Sequence, residues 1–176
     1  MENNKTSFKE ELFSWLKAII FALVIVIFIQ NFVIVNAMVP TGSMENTIMT
    51  NDRVIASRLS YLFNDPERFD IIVFRNPNNP DVLYIKRIIG LPGETIMLDN
   101  GNVYINDEIL IEDSEFIKED FLGTWGPFFV GENEFFVLGD NRNSSLDSRS
   151  WENPFVPKDL VVGRAIFKYF RGFEIF

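Results

Sequence analysis

Three short segments of the chain carry side chains that could perform chemistry together. Ser43 lies in segment 39–44, VPTGSM, and Lys86 lies in segment 84–94 within an apolar run. Segment 139–149 is dense in hydroxyl, carboxylate and guanidinium groups. The chain has no Cys and no His, which excludes thiolate nucleophiles, Ser-His-Asp triads and Cys- or His-ligated metals. Any general base must therefore be Lys, Asp, Glu or Tyr.

Strand alternation gives Lys86 an apolar environment. If residues 82–89 form a strand, Tyr84, Lys86 and Ile88 share one face with Val82. Burial on that face would lower the lysine pKa from its usual value of about 10.4. Such an amine can act as a base near neutral pH. Alternatively, the lysine extends its amine to solvent from a strand edge.

The other two segments are ambiguous by themselves. A serine between Pro and Gly neighbours commonly does no more than turn the chain, so Ser43 could be a turn residue instead of a nucleophile. In segment 139–149, Asp147 and Arg149 could form an ion pair, and a hydroxyl could orient a nearby amine. The same segment could equally be an ordinary polar loop.

An apolar run near the N-terminus predicts a membrane anchor. Residues 18–29 contain no polar side chain, and the run continues to Val35. As a helix, residues 18–35 would rise about 27 Å, close to a hydrocarbon core of about 30 Å. Trp15 and Lys17 lie at its start, as is typical of a membrane interface. A cleaved signal peptide or a buried core helix are the alternatives, but residues 36–38 make a poor cleavage site.

The basic residues predict the orientation of this anchor. Lys5, Lys9 and Lys17 precede the span, and the next basic residue is Arg53. Basic residues favour the cytoplasmic side. The sequence therefore predicts a cytoplasmic N-terminus of residues 1–17, a span of residues 18–35 and an extracytoplasmic domain of residues 36–176, in a single-pass protein of the cell membrane.

Beyond the anchor, short apolar segments between turn residues predict a mainly β fold with antiparallel sheets. The dipeptide Asn100-Gly101 between two such segments predicts a hairpin, because it readily adopts positive φ. Residues 75–81 read as a loop from their Pro and Asn content. The predicted strands are residues 53–56, 70–74, 82–89, 95–98, 103–105, 134–138 and 160–170.

The charge distribution argues against a nucleic-acid partner. The chain carries 16 basic and 25 acidic residues, a net charge of −9, and shows no basic face. One short stretch is strongly acidic, which predicts a solvated loop or sheet edge, with a surface cation site as the alternative. Its acidic residues are Asp107, Glu108, Glu112, Asp113, Glu115, Glu119 and Asp120.

Taken in order, these segments resemble the type I signal peptidases of bacteria over essentially the whole chain. The resemblance rests on the anchor, on segments 39–44, 84–94 and 139–149, and on the closing segment 162–165, VGRA. The single span resembles the compact Gram-positive form. The chain departs from the family at Asn46, where a proline is usual.

The resemblance implies a role for each site residue. Ser43 would be the nucleophile and Lys86 the general base of a Ser–Lys dyad that forms an acyl-enzyme. The Ser43 backbone N–H and the Thr41 hydroxyl would hold the oxyanion. The Ser145 hydroxyl would hydrogen-bond the catalytic amine, and Asp147 with Arg149 would support the site. No cofactor is expected, and no metal, since the sequence shows no cluster of metal ligands other than the acidic stretch.

The resemblance also implies a substrate, namely secretory preproteins with signal peptides. The substrate would bind as an extended strand against residues 36–42 and 83–85, and cleavage would follow small residues in an Ala-x-Ala pattern. The residues expected to contact it are Val39, Pro40, Met44, Ile48, Leu83, Tyr84 and Ile85.

Chain length places Ser43 near the outer membrane surface. It lies eight residues after Val35, a reach of at most about 29 Å. A peptide bond presented at the lipid bilayer surface is therefore the natural substrate. Six aromatic residues could rest the domain on lipid or pack in its core: Trp125, Phe128, Phe129, Phe170, Phe173 and Phe176.

Other functions fit the sequence less well. A self-cleaving Ser–Lys repressor would need a DNA-binding domain and no anchor. A non-catalytic homologue that assists assembly of surface proteins should have lost Ser43 or Lys86, yet both are present. A plain tethered β domain leaves the three segments unexplained. A specialised processing enzyme with few substrates stays open beside the general one.

Overall fold

An apolar helix leads directly into the first strand of a β-sheet. The computed structural model describes residues 8–111, 115–117, 119–170 and 172–176. Helix α1, Phe8–Phe28, continues through a π-helical turn, Ile29–Val33, and strand β1 begins at Ile34. The segment Phe8–Val33 is long and apolar enough to cross a membrane. Ile34 and Val35 were predicted to lie in the span but begin β1, so the helix ends two residues earlier than predicted, at Val33.

The rest of the described chain is mainly β, as predicted. Six of the seven predicted strands occur within two residues of the predicted limits, and the strand predicted at 82–89 begins three residues earlier. The strands are β1 Ile34–Met38, β2 Arg53–Ser57, β3 Ile71–Asn76, β4 Asn79–Gly90, β5 Thr95–Asp99, β6 Asn102–Ile105, β7 Glu108–Ile109, β8 Thr124–Phe129, β9 Glu134–Leu138, β10 Phe155–Pro157, β11 Val161–Tyr169 and β12 Glu174–Ile175. Five of them were not predicted, namely β1, β7, β8, β10 and β12.

The strands form two antiparallel sheets. The larger sheet has the order β1-β2-β11-β3-β4-β9-β10, and β12 pairs with β11. The smaller sheet has the order β7-β6-β5-β8. Strand β1 therefore lies at an edge of the larger sheet, and three strands separate it from β4.

Of two connections predicted from turn residues, one is confirmed and the other is shorter than predicted. The predicted hairpin joins β5 and β6, and both Asn100 and Gly101 have positive φ, at 41° and 92°. The loop predicted over residues 75–81 is much shorter than expected. Asn76 pairs with Asn79, so β3 and β4 are joined by two residues only.

The core is divided between three groups of buried apolar residues. One lies beneath the turn after β1 and includes Val39, Met44 and Ile48. A second involves both sheets, and a third surrounds Phe74 and Trp151.

The six aromatic residues considered for lipid contact divide between core and surface. Trp125 and Phe128 pack against the core group that involves both sheets, and Phe176 packs against the group beneath the turn. Phe129, Phe170 and Phe173 are exposed.

Candidate active site

Ser43 lies in a tight turn that follows β1. The turn is closed by backbone hydrogen bonds from Glu45 N to Gly42 O at 3.1 Å and from Ile48 N to Met44 O at 2.8 Å. Met44 and Ile48 insert their side chains into the core and so fix the turn from below. Ser43 itself is buried, with a relative exposure of 7%.

The loop after β9 holds the Ser43 backbone in place. Asn141 Nδ2 donates to Gly42 O at 3.0 Å, and Asn141 N donates to Ser43 O at 3.1 Å. The two carbonyl groups on either side of the Ser43 nitrogen and α-carbon are therefore both anchored by one residue. This holds the backbone on both sides of the Ser43 side chain.

Lys86 reaches Ser43 from strand β4. Its Nζ donates to Ser43 Oγ at 2.6 Å and to Ile85 O at 3.1 Å. The amine also lies 5.5 Å from the centre of the Tyr84 ring, on the face predicted from strand alternation. The side chains of Ser43 and Lys86 are thus in direct contact inside the protein.

Burial changes the acidity of this lysine. It lowers the Lys86 pKa to about 8, while the negative charges of Asp147 and Asp140 act in the opposite direction. A substantial fraction of the amine is therefore neutral at mildly alkaline pH. A neutral amine beside a serine hydroxyl can accept its proton, which is the requirement for an activated nucleophile.

Thr41 completes the polar surface next to Ser43. Its Oγ1 lies 3.5 Å from Ser43 Oγ, and the residue is exposed to solvent. A hydroxyl in this position can donate to an oxygen that approaches Ser43 from outside.

Ser145 is placed differently from the expectation. Its Oγ is buried and has no hydrogen-bond partner among the described residues, whereas it was expected to bond the Lys86 amine. The hydroxyl packs closely against the α-carbon of Gly139, beside Ser43 O. The Lys86 amine instead uses Ile85 O as its second acceptor.

Asp147 and Arg149 form the predicted ion pair, but neither touches Ser43 or Lys86 by a hydrogen bond. Arg149 Nε donates to Asp147 Oδ1 at 2.9 Å, and Arg149 Nη2 donates to Arg142 O at 2.6 Å. Asp147 also accepts from Gly139 N at 3.1 Å. The pair therefore closes the loop after β9 and places a negative charge near Lys86.

A buried polar network that was not predicted from the sequence lies behind the site. Arg87 Nε and Nη2 donate to the two carboxylate oxygens of Asp140 at 2.9 and 2.7 Å. Thr47 Oγ1 donates to the same carboxylate at 2.5 Å. The network joins β4, the turn after β1 and the loop after β9. A signal was available, because alternation places Arg87 opposite Lys86 on a second apolar face, where a buried guanidinium requires a carboxylate partner.

An apolar cleft of about 590 Å³ opens onto Ser43 and Lys86. Five of the seven residues predicted to contact substrate line it: Val39, Pro40, Leu83, Tyr84 and Ile85. Met44 and Ile48 do not, because both face the core; their prediction as pocket residues was wrong. The cleft is also lined by Asn36, Ala37, Met38, Thr41, Val82, Ser144 and Leu146.

Two unpaired strand edges border this cleft. Strand β1 pairs only with β2 in the described part of the chain. Strand β9 pairs with β4 only between Arg87 and Gly90, so the described strands leave the preceding part of β4 without a partner on that side. Such edges present free backbone N–H and C=O groups, which can bind an extended peptide.

No metal site is evident in the parts of the chain that the structure describes. No group of three or more Asp or Glu side chains there is arranged to hold an ion. Glu112 and Asp113 of the acidic stretch lie outside the described residues.

A family model and two curated relatives that match this chain are all described as signal peptidases. The family described as signal peptidase, peptidase S26, matches residues 12–170. A probable signal peptidase I-2 of Synechocystis is 40% identical over 165 residues, which cover 89% of this chain and 73% of that protein. A signal peptidase I of Bacillus amyloliquefaciens is 35% identical over 182 residues, which cover 99% of this chain and 96% of that protein.

A solved structure is also similar. The crystal structure of a signal peptidase I from Enterococcus faecalis V583 is 38% identical, with a TM-score of 0.47, and covers 57% of this chain and 97% of that one.

Proposed function

Since the chain belongs to the signal peptidase family, peptidase S26, and is a serine endopeptidase that removes signal peptides, we propose that Ser43 and Lys86 form its catalytic dyad. The observation that carries this proposal is the distance of 2.6 Å between Lys86 Nζ and Ser43 Oγ in a buried site. The lowered pKa of Lys86 supports the role of base.

The proposed reaction proceeds through an ester. Neutral Lys86 takes the hydroxyl proton while Ser43 Oγ attacks the carbonyl carbon of the scissile peptide bond. Lys86 then gives this proton to the leaving amine, which departs as the new N-terminus of the mature protein. The signal peptide stays as an acyl group on Ser43. Lys86 next deprotonates a water molecule, which hydrolyses the ester and restores both residues.

The negative oxygen of each tetrahedral intermediate needs hydrogen-bond donors. We assign this role to the Ser43 backbone N–H and to the Thr41 hydroxyl, which lies beside Ser43 Oγ. Loss of one such donor typically lowers the rate about 100- to 1,000-fold. The Asn141 contacts to Gly42 O and Ser43 O would hold this part of the backbone rigid while charge develops.

The substrate is proposed to enter as an extended strand between the two unpaired edges. Backbone bonds to β1 and to the first half of β4 would give affinity, and the apolar cleft would select side chains. The selected pattern is proposed to be small residues at positions −1 and −3, as in Ala-x-Ala sites. Secretory preproteins present such sites at the end of an apolar helix.

The enzyme is proposed to act at a lipid bilayer. Segment Phe8–Val33 would span the membrane once. Lys9 and Lys17 precede its most apolar part, and the next basic residue is Arg53, which favours a cytoplasmic N-terminus and an extracytoplasmic β domain. Lys5, part of the same bias, lies outside the described residues.

Cleavage of a preprotein with an Ala-x-Ala site tests the dyad. The full chain in lipid vesicles should cut after the second Ala, and Ser43→Ala and Lys86→Ala should each abolish cleavage. Lys158→Ala is the matched control, because Lys158 lies at the surface in an ion pair with Asp65. Cleavage by Lys86→Ala at the rate of the control variant would contradict the dyad.

A further inference from the structure

The edge of β4 that is proposed to bind substrate ends at Lys86. Among the strands that the structure describes, residues 83–85 have no partner on the side of β9, whereas Arg87 pairs with Leu138, the last residue of β9. Lys86 lies between these two parts of β4. A peptide strand bound along residues 83–85 would therefore lie in line with β9 and meet its end next to the dyad.

This arrangement treats the two halves of a substrate differently. Residues before the scissile bond can pair with β4, because its backbone groups are free there. Residues after the scissile bond cannot continue along the same edge, because β9 occupies it from Arg87 onward. The first residue of the mature protein, at position +1, must therefore leave the sheet and pass the loop that follows β9.

The loop after β9 borders the cleft at this place. Ser145 Oγ packs against Gly139, the first residue after β9, beside Ser43 O. The next residue, Leu146, lines the cleft and is 58% exposed. A large apolar side chain thus lies next to the path by which position +1 would leave the cleft.

The backbone beside Leu146 is firmly held. Asp147 is fully buried and accepts from Gly139 N at 3.1 Å. Ser148 Oγ accepts from Val137 N at 2.9 Å. Leu146 therefore extends from an anchored segment, and a peptide that packs against it does not have to order a loop first.

We propose that Leu146 contacts the side chain at position +1 and makes cleavage selective for an apolar residue there over a charged one. This inference rests on the proposed function, because it requires a peptide bound across Ser43. An apolar side chain at position +1 would bury surface against the leucine, whereas a charged one would lose water without gaining a partner. The cleft along β1 and β4 would select the signal peptide, and Leu146 would select the start of the mature protein.

A charge exchange tests this contact. The substrates are three preproteins with the same Ala-x-Ala site and Leu, Asp or Lys at position +1, and kcat/KM is measured for each with the full chain in lipid vesicles. The wild type should prefer Leu. Leu146→Lys should raise the ratio of Asp to Lys cleavage roughly two- to fivefold, as is typical of exposed charge pairs. Leu146→Glu should lower the same ratio.

Two controls separate this contact from general effects. Leu122→Lys adds the same charge at an apolar loop residue that is 84% exposed and precedes β8 of the smaller sheet, so it should leave the Asp-to-Lys ratio unchanged. A second pair of preproteins varies position −1 between Ala and Gly. Their ratio should be equal in the wild type and Leu146→Lys, because position −1 lies on the other side of the scissile bond.

Two results would overturn the proposal. An Asp-to-Lys ratio that is the same in the wild type and both Leu146 variants would show that position +1 does not meet this residue. A change in the ratio for position −1 instead would place Leu146 in a pocket for the signal peptide. Absence of cleavage of every preprotein by the wild type is a different result, because it would contradict the proposed function itself and this contact with it.

Discussion

The amine of Lys86 lies 2.6 Å from Ser43 Oγ, although 43 positions separate the two residues in the chain. Ser43 follows β1 at the edge of the larger sheet, and Lys86 lies on β4, with three strands between them in the sheet order. A flat sheet would hold these strands far apart, because neighbouring strands are about 4.8 Å apart. The contact therefore depends on the tertiary structure, since no local feature of either segment brings Ser43 to Lys86.

Activity should rise with pH through the pKa of Lys86. Only the neutral amine can accept the serine proton, and burial lowers its pKa to about 8. We expect kcat/KM on a peptide substrate to reach half of its maximum near pH 8 and to be roughly tenfold below the maximum at pH 7. A pH–rate profile in detergent measures this, and a rate that is constant or falls between pH 6 and 9 would contradict the role of Lys86 as base.

Replacing Lys86 by Met should stabilise the protein while it abolishes activity. The lysine pKa is about 8 in the folded state against 10.5 in the unfolded state, so the unfolded state binds more protons between these values. Stability therefore rises as pH increases from 8 to 10.5, and below pH 8 the buried lysine costs about 3 kcal/mol. Lys86→Met should raise the unfolding temperature at pH 7 more than at pH 10.

The control for this prediction is Lys158→Met, a change at a half-exposed lysine. It should alter the unfolding temperature little at either pH. An equal loss of stability of Lys86→Met at both pH values would mean that the contact with Ser43 outweighs the cost of burial.

Gly139→Ala should disturb the position of the nucleophile. A Cβ atom at Gly139 would overlap both Ser145 Oγ and the carbonyl oxygen of Ser43, and the latter is backbone that cannot move alone. We expect a loss of about 1–3 kcal/mol in stability and a decrease in kcat of up to about 100-fold, as a displacement near 1 Å would produce.

Gly131→Ala is the matched glycine control. Its Cβ would meet only the flexible end of the Glu134 side chain, at 2.8 Å. Thermal unfolding and preprotein cleavage should both stay near wild type in this variant. If Gly139→Ala behaves in the same way, the close packing of Gly139 does not position Ser43.

Asn46→Pro should destabilise the turn, even though proline is usual at this position in the family that the sequence resembles. Asn46 has a φ of 98°, and proline is restricted to about −65°. The side chain also donates from Nδ2 to Phe116 O at 3.2 Å. We expect the proline variant to lose more than about 1 kcal/mol. Asn46→Gly, which tolerates positive φ, should stay within about 1 kcal/mol of wild type. Denaturant unfolding in detergent distinguishes the two, and a proline variant as stable as the glycine variant would contradict the prediction.

Local sequence patterns predicted two features that follow directly from backbone geometry. Strand alternation predicted the face of β4 that Lys86 shares with Tyr84, and the Asn-Gly turn predicted the hairpin between β5 and β6. The assigned roles of Ser43 and Lys86 stay predictions until they are tested by mutation.

The sequence-based predictions were wrong where contacts with residues distant in the chain decide the local structure. The apolar run could not show that Ile34 and Val35 leave the helix to pair with Ser57 and Ala56. The sequence also could not distinguish Val39 from Met44, because both are apolar residues near Ser43. In the structure, Val39 lines the cleft, whereas Met44 faces only the core.

The sequence by itself determined a long apolar segment near the N-terminus, a mainly β domain and the order of three polar segments. Each depends on composition or on a period of about two residues, which the backbone imposes locally. Only the tertiary structure decided that Lys86 reaches Ser43, that Arg87 pairs with Asp140 and that Ser145 packs on Gly139. These contacts depend on strand register and on how strands and loops pack in the whole domain, and they leave no periodic signal in the chain.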